Sequence, residues 1–190
     1  MTEKEILVRF IAALSAFYEK DNFLLDCNAS ERSMTHRLAV YLEHLFPNYN
    51  VDCEYNRIEN DIKKVEELKS EIGLCKKTCE MCDEKCKVFP DIIVHKRGKK
   101  VNILVIEAKK HCSEQERSYD FKKLDALTKS SQYKYTLGIG FCFKKEINDT
   151  IQSIKLFPEE NDKIKQLEEC LKFMIFGNKK CTQRRLYVRK

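Results

Sequence analysis

Two apolar segments joined by a short polar connection constrain the fold of this chain more than any other feature. Residues 88–97 read VFPDIIVHKR and residues 101–110 read VNILVIEAKK, with Gly98-Lys99-Lys100 between them. Runs rich in valine and isoleucine favour strands, and the short connection predicts an antiparallel β-hairpin. The run VNILVI is too apolar for a surface strand, so we expect this strand to be buried.

Hydrophobic periodicity predicts the elements around the hairpin. Thr2 and Glu5 have the spacing of a capping box, and Ser30 is a good N-cap. A turn is expected over residues 21–28. Helices are predicted over 3–20, 31–46, 119–131 and 159–176, and further strands over 50–57 and 135–144. This order predicts a single domain of 190 residues, with an α/β core whose central mixed β-sheet is flanked by helices.

Charged side chains stand at the ends of the two buried strands. Glu107 and Lys109 share one face because side chains alternate along a strand, and the hairpin brings Asp91 near Glu107. Two carboxylates held close together repel each other unless a cation lies between them, and Mg²⁺ prefers such oxygen ligands. The pattern therefore predicts a magnesium site. The alternative is a structural ion-pair cluster in which Glu107 contacts Lys109 or Lys110.

Glu31 adds a third carboxylate to this set. It continues the apolar stripe of the second predicted helix by one step toward the N-terminus, where the stripe consists of Met34, Leu38, Tyr41 and Leu45. A carboxylate on a core-facing stripe is expected to serve a site. The alternative is that Glu31 only interacts favourably with the helix dipole.

These residues resemble the motif of the PD-(D/E)xK nuclease superfamily, which has the restriction-endonuclease-like fold. Pro90-Asp91 corresponds to its first element, and after fifteen intervening residues Glu107-Ala108-Lys109 corresponds to the second. Glu31 corresponds to the acid that often lies upstream on a helix. The resemblance covers roughly residues 28–145. Within this range the segments HRLAVYLEHLF, VDCEYNR, PDIIVHKRG and NILVIEAKK also resemble a group of small bacterial members of the superfamily.

The resemblance implies hydrolysis of phosphodiester bonds in nucleic acid, in a defence or repair system. Mg²⁺ or Mn²⁺ would be bound by Asp91, Glu107, the carbonyl of Ala108 and Glu31, and Lys109 would orient the attacking water and stabilise charge on the phosphate. DNA is the expected substrate and RNA the alternative. A second reading is a catalytically silent module of the same fold that binds nucleic acid or protein.

Several basic and amide residues are candidates for contact with the nucleic-acid backbone. Arg57 closes a predicted strand, which is also compatible with an ordinary strand end. The segment 179–190 has six basic and no acidic residues, and its alternative reading is a frayed tail. Specificity would come from a homodimer or a partner protein. The candidates are Arg57, Arg184 and Arg185, together with Lys122, Lys123 and Gln132, which follow the hairpin where superfamily members often place such side chains.

A charged segment, 58–87, lies between two core strands and contains four clustered cysteines, namely Cys75, Cys79, Cys82 and Cys86. Their spacing equals one face of a helix, so one interpretation is a helical stripe or interaction arm. On a straight helix the first and last would be about 16 Å apart, whereas sulfurs on one zinc lie within about 4 Å of each other. A structural Zn²⁺ site, or a less favoured iron–sulfur cluster, therefore requires the chain to reverse near Met81.

The remaining expectations concern scattered cysteines, one histidine and location. The six other cysteines are predicted to be small buried side chains rather than parts of a disulfide framework, namely Cys27, Cys53, Cys112, Cys142, Cys170 and Cys181. His95 is expected to be a core or surface histidine and not a ligand. No apolar stretch reaches the length of a membrane span, and the N-terminus lacks the pattern of a signal peptide. We therefore expect a cytoplasmic protein without membrane contact.

Overall fold

A five-stranded mixed sheet organises the part of the chain that the structure describes. The computed structural model describes residues 1–58, 61–62, 88–110 and 114–173. The strands are β1 (Asn50–Cys53), β2 (Arg57–Ile58), β3 (Asp61–Ile62), β4 (Ile92–Lys96), β5 (Val101–Lys109), β6 (Leu137–Cys142) and β7 (Lys155–Phe157). The helices are α1 (Glu3–Lys20), α2 (Phe23–Asp26), α3 (Glu31–Leu45), α4 (Glu114–Lys129), α5 (Ile147–Gln152) and α6 (162–173).

The strand order of the main sheet is β1-β4-β5-β6-β7, and β2 and β3 form a separate small ladder. The β5–β6 pair is parallel, and the other neighbours in the main sheet are antiparallel. The predicted hairpin is confirmed: β4 and β5 are antiparallel neighbours, and Gly98 in their turn has a φ of 68°. This positive φ suits glycine, which has no Cβ to clash with the backbone. The α/β class and the mixed sheet flanked by helices are therefore confirmed.

Both faces of β5 are buried, as its continuous apolar run predicted. Leu104, Ile106 and Ala108 belong to a core cluster that also contains the inward side chains of α1 and α3. Val105 points to the other face, where it joins a second cluster with Leu124 of α4. The central strand thus ends between two helical layers, one containing α3 and the other containing α4.

The helix termini follow the capping residues in the sequence. Thr2 and Glu5 form the predicted capping box at the start of α1, where the Glu5 N–H donates to Thr2 Oγ1 at 3.3 Å. The Ser30 side chain accepts a hydrogen bond from the Ser33 N–H at 3.2 Å and begins α3. Glu31 is consequently fixed as the first residue of α3.

Element boundaries differ from the predictions where the backbone departs from the local pattern. The strand predicted over 50–57 ends at Cys53 because Glu54 adopts a φ of 49°, which interrupts the extended chain. Helix α4 begins at Glu114 rather than at 119, because its first turns are polar and lack the apolar periodicity that marked the rest. The expected turn over 21–28 contains the short helix α2, and α5 and β7 were not predicted.

Several other strands and helices are shorter than predicted. The strand predicted over 88–97 is reduced to Ile92–Lys96, since Pro90 has no N–H to donate to a ladder. The strand predicted over 135–144 is reduced to Leu137–Cys142. Helix α3 ends one residue before the predicted 46, and the helix predicted over 159–176 is described over 162–173.

The prediction that scattered cysteines are small buried side chains is wrong for three of them. Cys27, Cys53 and Cys170 are exposed, the first two at the ends of short elements and the third on α6. Cys142 is buried, as predicted, but it is disulfide-bonded rather than a free thiol. The other predicted positions, namely Cys112, Cys181 and the four clustered cysteines of 58–87, lie outside the described residues.

Among the described residues, no helix is both long and apolar enough to cross a bilayer. The apolar side chains of α1 instead lie on one buried stripe, which includes Phe10, Leu14 and Phe17. The helix thus uses its apolar surface to pack against the sheet and α3.

Replacement of Gly138 on β6 is expected to destabilise the sheet. A Cβ at this position would lie 2.9 Å from Phe157 Cβ and 3.1 Å from Thr128 Cγ2, between β7 and α4. We expect Gly138→Ala to lower the free energy of unfolding by about 1–3 kcal/mol, measured by urea denaturation. The exposed α1 residue Glu19 supplies a control, since Glu19→Ala should change it by less than about 0.5 kcal/mol. Equal values for both variants would contradict the close approach.

Candidate active site

The register of the hairpin brings Asp91 and Glu107 together. Ile92 pairs with Ile106, so the residue before one and the residue after the other are neighbours across the ladder. Asp91 Oδ2 accepts a hydrogen bond from the Ala108 N–H at 2.8 Å. Glu107 is only 2% exposed. The two predicted acids therefore lie side by side at the end of the two central strands.

Helix α4 adds a carboxylate and an ammonium to this pair. Lys123 Nζ lies 2.8 Å from Glu107 Oε2 and 3.4 Å from Asp120 Oδ1. Asp120 Oδ2 in turn lies 3.3 Å from Lys109 Nζ. Both α4 residues are buried. They connect the side chains of Glu107 and Lys109, which point to the same face of β5.

Helix α3 supplies Glu31 at its first turn. Its Oε1 lies 3.3 Å from Lys109 Nζ, and its Oε2 accepts a hydrogen bond from the Lys110 N–H at 2.9 Å. Lys110 Nζ donates to the carbonyls of Asn28 and Ala29 at 2.7 and 2.8 Å. Lys110 thus holds the segment before α3 against the end of β5, and this contact positions Glu31 beside Lys109.

We refer to Glu31, Asp91, Glu107 and Asp120, with Lys109 and Lys123, as the carboxylate cluster. Four carboxylates and two ammonium groups leave two negative charges uncompensated when all six groups are ionised. Glu107 Oε1 is buried and has no hydrogen-bond partner. Asp120 Oδ2 also accepts no hydrogen bond, although Lys109 Nζ lies at ion-pair distance. Buried acceptors without partners are costly, so the cluster is suited to take up a proton or a cation.

The direction of each pKa shift supports this description of the cluster. Burial raises the pKa of Asp91 above its ordinary value and raises the pKa of Glu107 well above it. Burial alone would lower the pKa of Lys109, but Asp120 and the neighbouring carboxylates outweigh it and raise that pKa. The pKa of Lys123 is raised in the same way, chiefly by Glu107 and Asp120. Both lysines therefore stay charged, and Asp91 and Glu107 are the members of the cluster whose ionisation burial opposes.

The donor set fits a hard divalent cation in chemistry and in charge. Carboxylate oxygens and a backbone carbonyl are ligands that Mg²⁺ and Mn²⁺ accept, and the cluster lacks two positive charges. The unpartnered oxygen of Glu107 is an available ligand. In the described ranges no group of three or more His, Cys, Asp or Glu is already arranged to hold a metal ion. The other oxygen of Glu107 contacts Lys123, so metal binding would require that side chain to adjust.

The residues predicted to contact nucleic acid differ in their exposure to solvent. Arg57, Lys122 and Gln132 are exposed, whereas Lys123 is buried against Glu107. Their contact with nucleic acid stays a prediction. Arg184 and Arg185 lie outside the described residues, as do the four cysteines of the predicted zinc site.

His95 lies toward the other end of β4 and is 4% exposed. Its Nε2 is 2.7 Å from Asp52 Oδ2, and Arg97 binds the same carboxylate. Of the two settings predicted for His95, core or surface, the structure shows the core. The Asp52 contact also joins β1 to the hairpin away from the carboxylate cluster.

The sequence analysis did not predict two features of the site, namely the presence of Asp120 and the contacts by which Lys110 anchors the segment before α3. A signal for Asp120 was present, because Asp120 and Lys123 precede the buried Leu124 and Leu127 at helical spacing. Two opposite charges on an inward stripe indicate a buried ionic site. The contacts of Lys110 with Asn28 and Ala29 join distant parts of the chain, and no local pattern encodes them.

No protein-family model, no curated protein and no solved structure matches this chain. Membership of the PD-(D/E)xK superfamily thus stays a prediction from the motif. The functional argument rests on the carboxylate cluster and on the strands and helices that position it.

The stability of the metal-free protein should depend on the ionisation of Asp91. Its folded pKa is raised above the ordinary 3.8 by burial, so its contribution is fully present below that value and is lost as pH rises through the raised value. Asp91→Asn keeps an oxygen that can accept from the Ala108 N–H but cannot ionise. We expect this variant to gain stability relative to the unmodified protein as pH rises above 3.8 and through the raised pKa of Asp91. Urea unfolding with a chelator measures this difference, and a constant difference would contradict the raised pKa.

Loss of the Lys110 ammonium should loosen the junction between α3 and β5. Lys110→Met removes both hydrogen bonds to the Asn28 and Ala29 carbonyls. We expect a loss of about 1–3 kcal/mol in the free energy of unfolding, measured by urea denaturation. Lys99→Met, at the exposed hairpin turn, is the matched control and should change the stability by less than about 0.5 kcal/mol. A Lys110 variant as stable as the control would show that the junction does not depend on this ammonium.

Proposed function

We propose that this protein is a metal-dependent nuclease that hydrolyses phosphodiester bonds, with DNA as the expected substrate and RNA as the alternative. A restriction-endonuclease-like core and membership of the PD-(D/E)xK superfamily are part of the proposal. The observation that carries it is the buried Glu107, which has an unpartnered carboxylate oxygen and lies between Asp91 and the α4 side chains. A defence or repair system is the proposed setting.

The proposed cofactor is Mg²⁺ or Mn²⁺. The side chains of Asp91, Glu107 and Glu31 and the carbonyl of Ala108 would hold it, in agreement with the oxygen-rich composition of the cluster. When bound, a divalent cation polarises a phosphate oxygen and lowers the pKa of a coordinated water. The two uncompensated negative charges of the cluster supply the electrostatic attraction for such an ion.

Lys109 is the proposed electrostatic catalyst on the protein side. Its raised pKa keeps the ammonium charged at neutral pH, so it can stabilise the negative charge that develops on a phosphate under attack. Glu31 and Asp120 each lie 3.3 Å from Lys109 Nζ and hold it from two sides. Lys109 is also the side chain that would orient a water molecule for attack. Preorganisation of this kind reduces the reorganisation needed during reaction.

One observation favours a second candidate function, a catalytically silent module that binds nucleic acid or protein. The two lysines of the cluster already have carboxylate partners within the chain, and Lys123 occupies one oxygen of Glu107. The cluster could then serve the stability of the fold without chemistry. In either case specificity would come from a second copy of the chain or from a partner protein.

Cleavage of nucleic acid distinguishes the two functions. We expect the unmodified protein to cut plasmid DNA, single-stranded DNA or RNA in the presence of Mg²⁺ or Mn²⁺. The variants Asp91→Asn, Glu107→Gln and Lys109→Met should each reduce the rate by about a hundredfold or more, since each removes a ligand or a preorganised charge. The assay measures initial rates on gels with labelled substrates.

Lys99→Met controls for the loss of a lysine far from the cluster and should retain the full rate. Circular dichroism verifies that each variant is folded. Cleavage that persists in the three cluster variants would remove these residues from the mechanism. Binding to nucleic acid without cleavage in any metal would favour the silent module.

A further inference from the structure

Lys123 occupies an unusual position within the carboxylate cluster. Its ammonium lies between Glu107 Oε2 at 2.8 Å and Asp120 Oδ1 at 3.4 Å. The side chain is only 9% exposed, and the Glu107 side chain is 2% exposed. The shorter distance shows that Glu107 is the principal partner in this arrangement, and that the ammonium neutralises the carboxylate that is proposed to bind the metal.

A buried ammonium cannot leave one carboxylate unless another acceptor takes it, because an unpaired charge in the interior is costly. Asp120 offers such an acceptor. It lies one helical turn before Lys123 and already contacts the same ammonium through Oδ1, and its buried Oδ2 accepts no hydrogen bond and lies 3.3 Å from Lys109 Nζ. A small rotation of the Lys123 side chain would therefore exchange its principal partner without exposing its charge to solvent.

We propose that Lys123 is a positioning residue that acts as a resident cation for Glu107 and transfers to Asp120 when a divalent metal binds. This inference rests on the proposed metal-dependent function of the cluster. In the metal-free protein Lys123 holds the Glu107 carboxylate in place and compensates its charge. On metal binding the Glu107 carboxylate would exchange the Lys123 ammonium for the metal ion, and Asp120 would retain the displaced ammonium.

The other lysine of the cluster provides a matched comparison. Lys109 carries the same charge, but its ammonium forms its ion pairs with Glu31 and Asp120 and not with Glu107. If Lys123 affected the metal only through its charge, removal of either ammonium would have a similar effect. Competition is strongest at the buried 2.8 Å contact of Lys123 with Glu107, which predicts a larger effect there than at Lys109, whose contact with the more exposed Glu31 is 3.3 Å.

The first test measures binding of Mg²⁺ by isothermal titration calorimetry in the absence of nucleic acid. We expect Lys123→Met to bind Mg²⁺ about tenfold more tightly than the unmodified protein, the change that corresponds to one charge-assisted hydrogen bond. Lys109→Met should show a smaller gain. Asp120→Asn should bind Mg²⁺ more weakly, because the displaced ammonium loses its second carboxylate.

The second test measures the response of the unmodified protein to Mg²⁺, and variants serve only to assign the resonance. The ¹⁵N resonance of the Lys123 ammonium, assigned by its absence in Lys123→Met or in a Lys123→Arg protein, should shift on addition of Mg²⁺. A resonance that stays unchanged while Mg²⁺ binds would overturn the inference. So would equal gains in affinity for Lys123→Met and Lys109→Met.

The outcomes separate this inference from the function on which it rests. Mg²⁺ binding that requires Glu107, with no special effect of Lys123, leaves the proposed nuclease intact and overturns only the exchange. Failure of the unmodified protein and all variants to bind Mg²⁺ or Mn²⁺ overturns both. Tighter binding in Lys123→Met with a shifted ammonium resonance supports the exchange whether or not cleavage is detected.

Discussion

The buried contact between Glu107 on β5 and Lys123 on α4 is the interaction on which the rest of the site depends. A carboxylate at the end of a central strand, covered by helices, is tolerated only when a cation or a proton compensates it. Lys123 supplies that compensation, and it also fixes one turn of α4 over the strand. Asp120, on the same turn, then reaches Lys109. The packing of α4 on the sheet and the electrostatics of the cluster are therefore one arrangement.

The opposite side of the cluster adds backbone hydrogen bonds to an ion pair. Glu31 begins α3 because Ser30 caps the helix, and its two oxygens contact Lys109 and the backbone of Lys110. Lys110 also binds the carbonyls that precede the helix. The end of β5 is thus held by α3 through an ion pair and a backbone hydrogen bond, and by α4 through ion pairs alone. A phosphate of the proposed substrate would meet charged groups that both layers restrain.

The sequence predicts the centre of the fold well because its signals there are local. The apolar runs on either side of Gly98 specify a hairpin, and the hairpin alone brings Asp91 to Glu107. Glu31 was found because it continues a helical stripe. Asp120 lies inside the helix predicted over 119–131, but no motif connects it to the acids of the strands, although its spacing to Leu124 was visible. The exposed cysteines and the left-handed backbone at Glu54 depend on chain ends and turns, which hydrophobic periodicity does not describe.

The members of the carboxylate cluster are unevenly spaced along the chain. Asp91, Glu107, Lys109, Asp120 and Lys123 all belong to the consecutive elements β4, β5 and α4 or directly precede them, whereas Glu31 comes from α3. Local opening of the α3 layer would separate Glu31 from Lys109 while the other charges kept their places. The cluster thus combines a unit formed by neighbouring segments with a single acid that arrives by docking. Protection of the α3 amides from hydrogen exchange would report how firmly the sixth side chain is held.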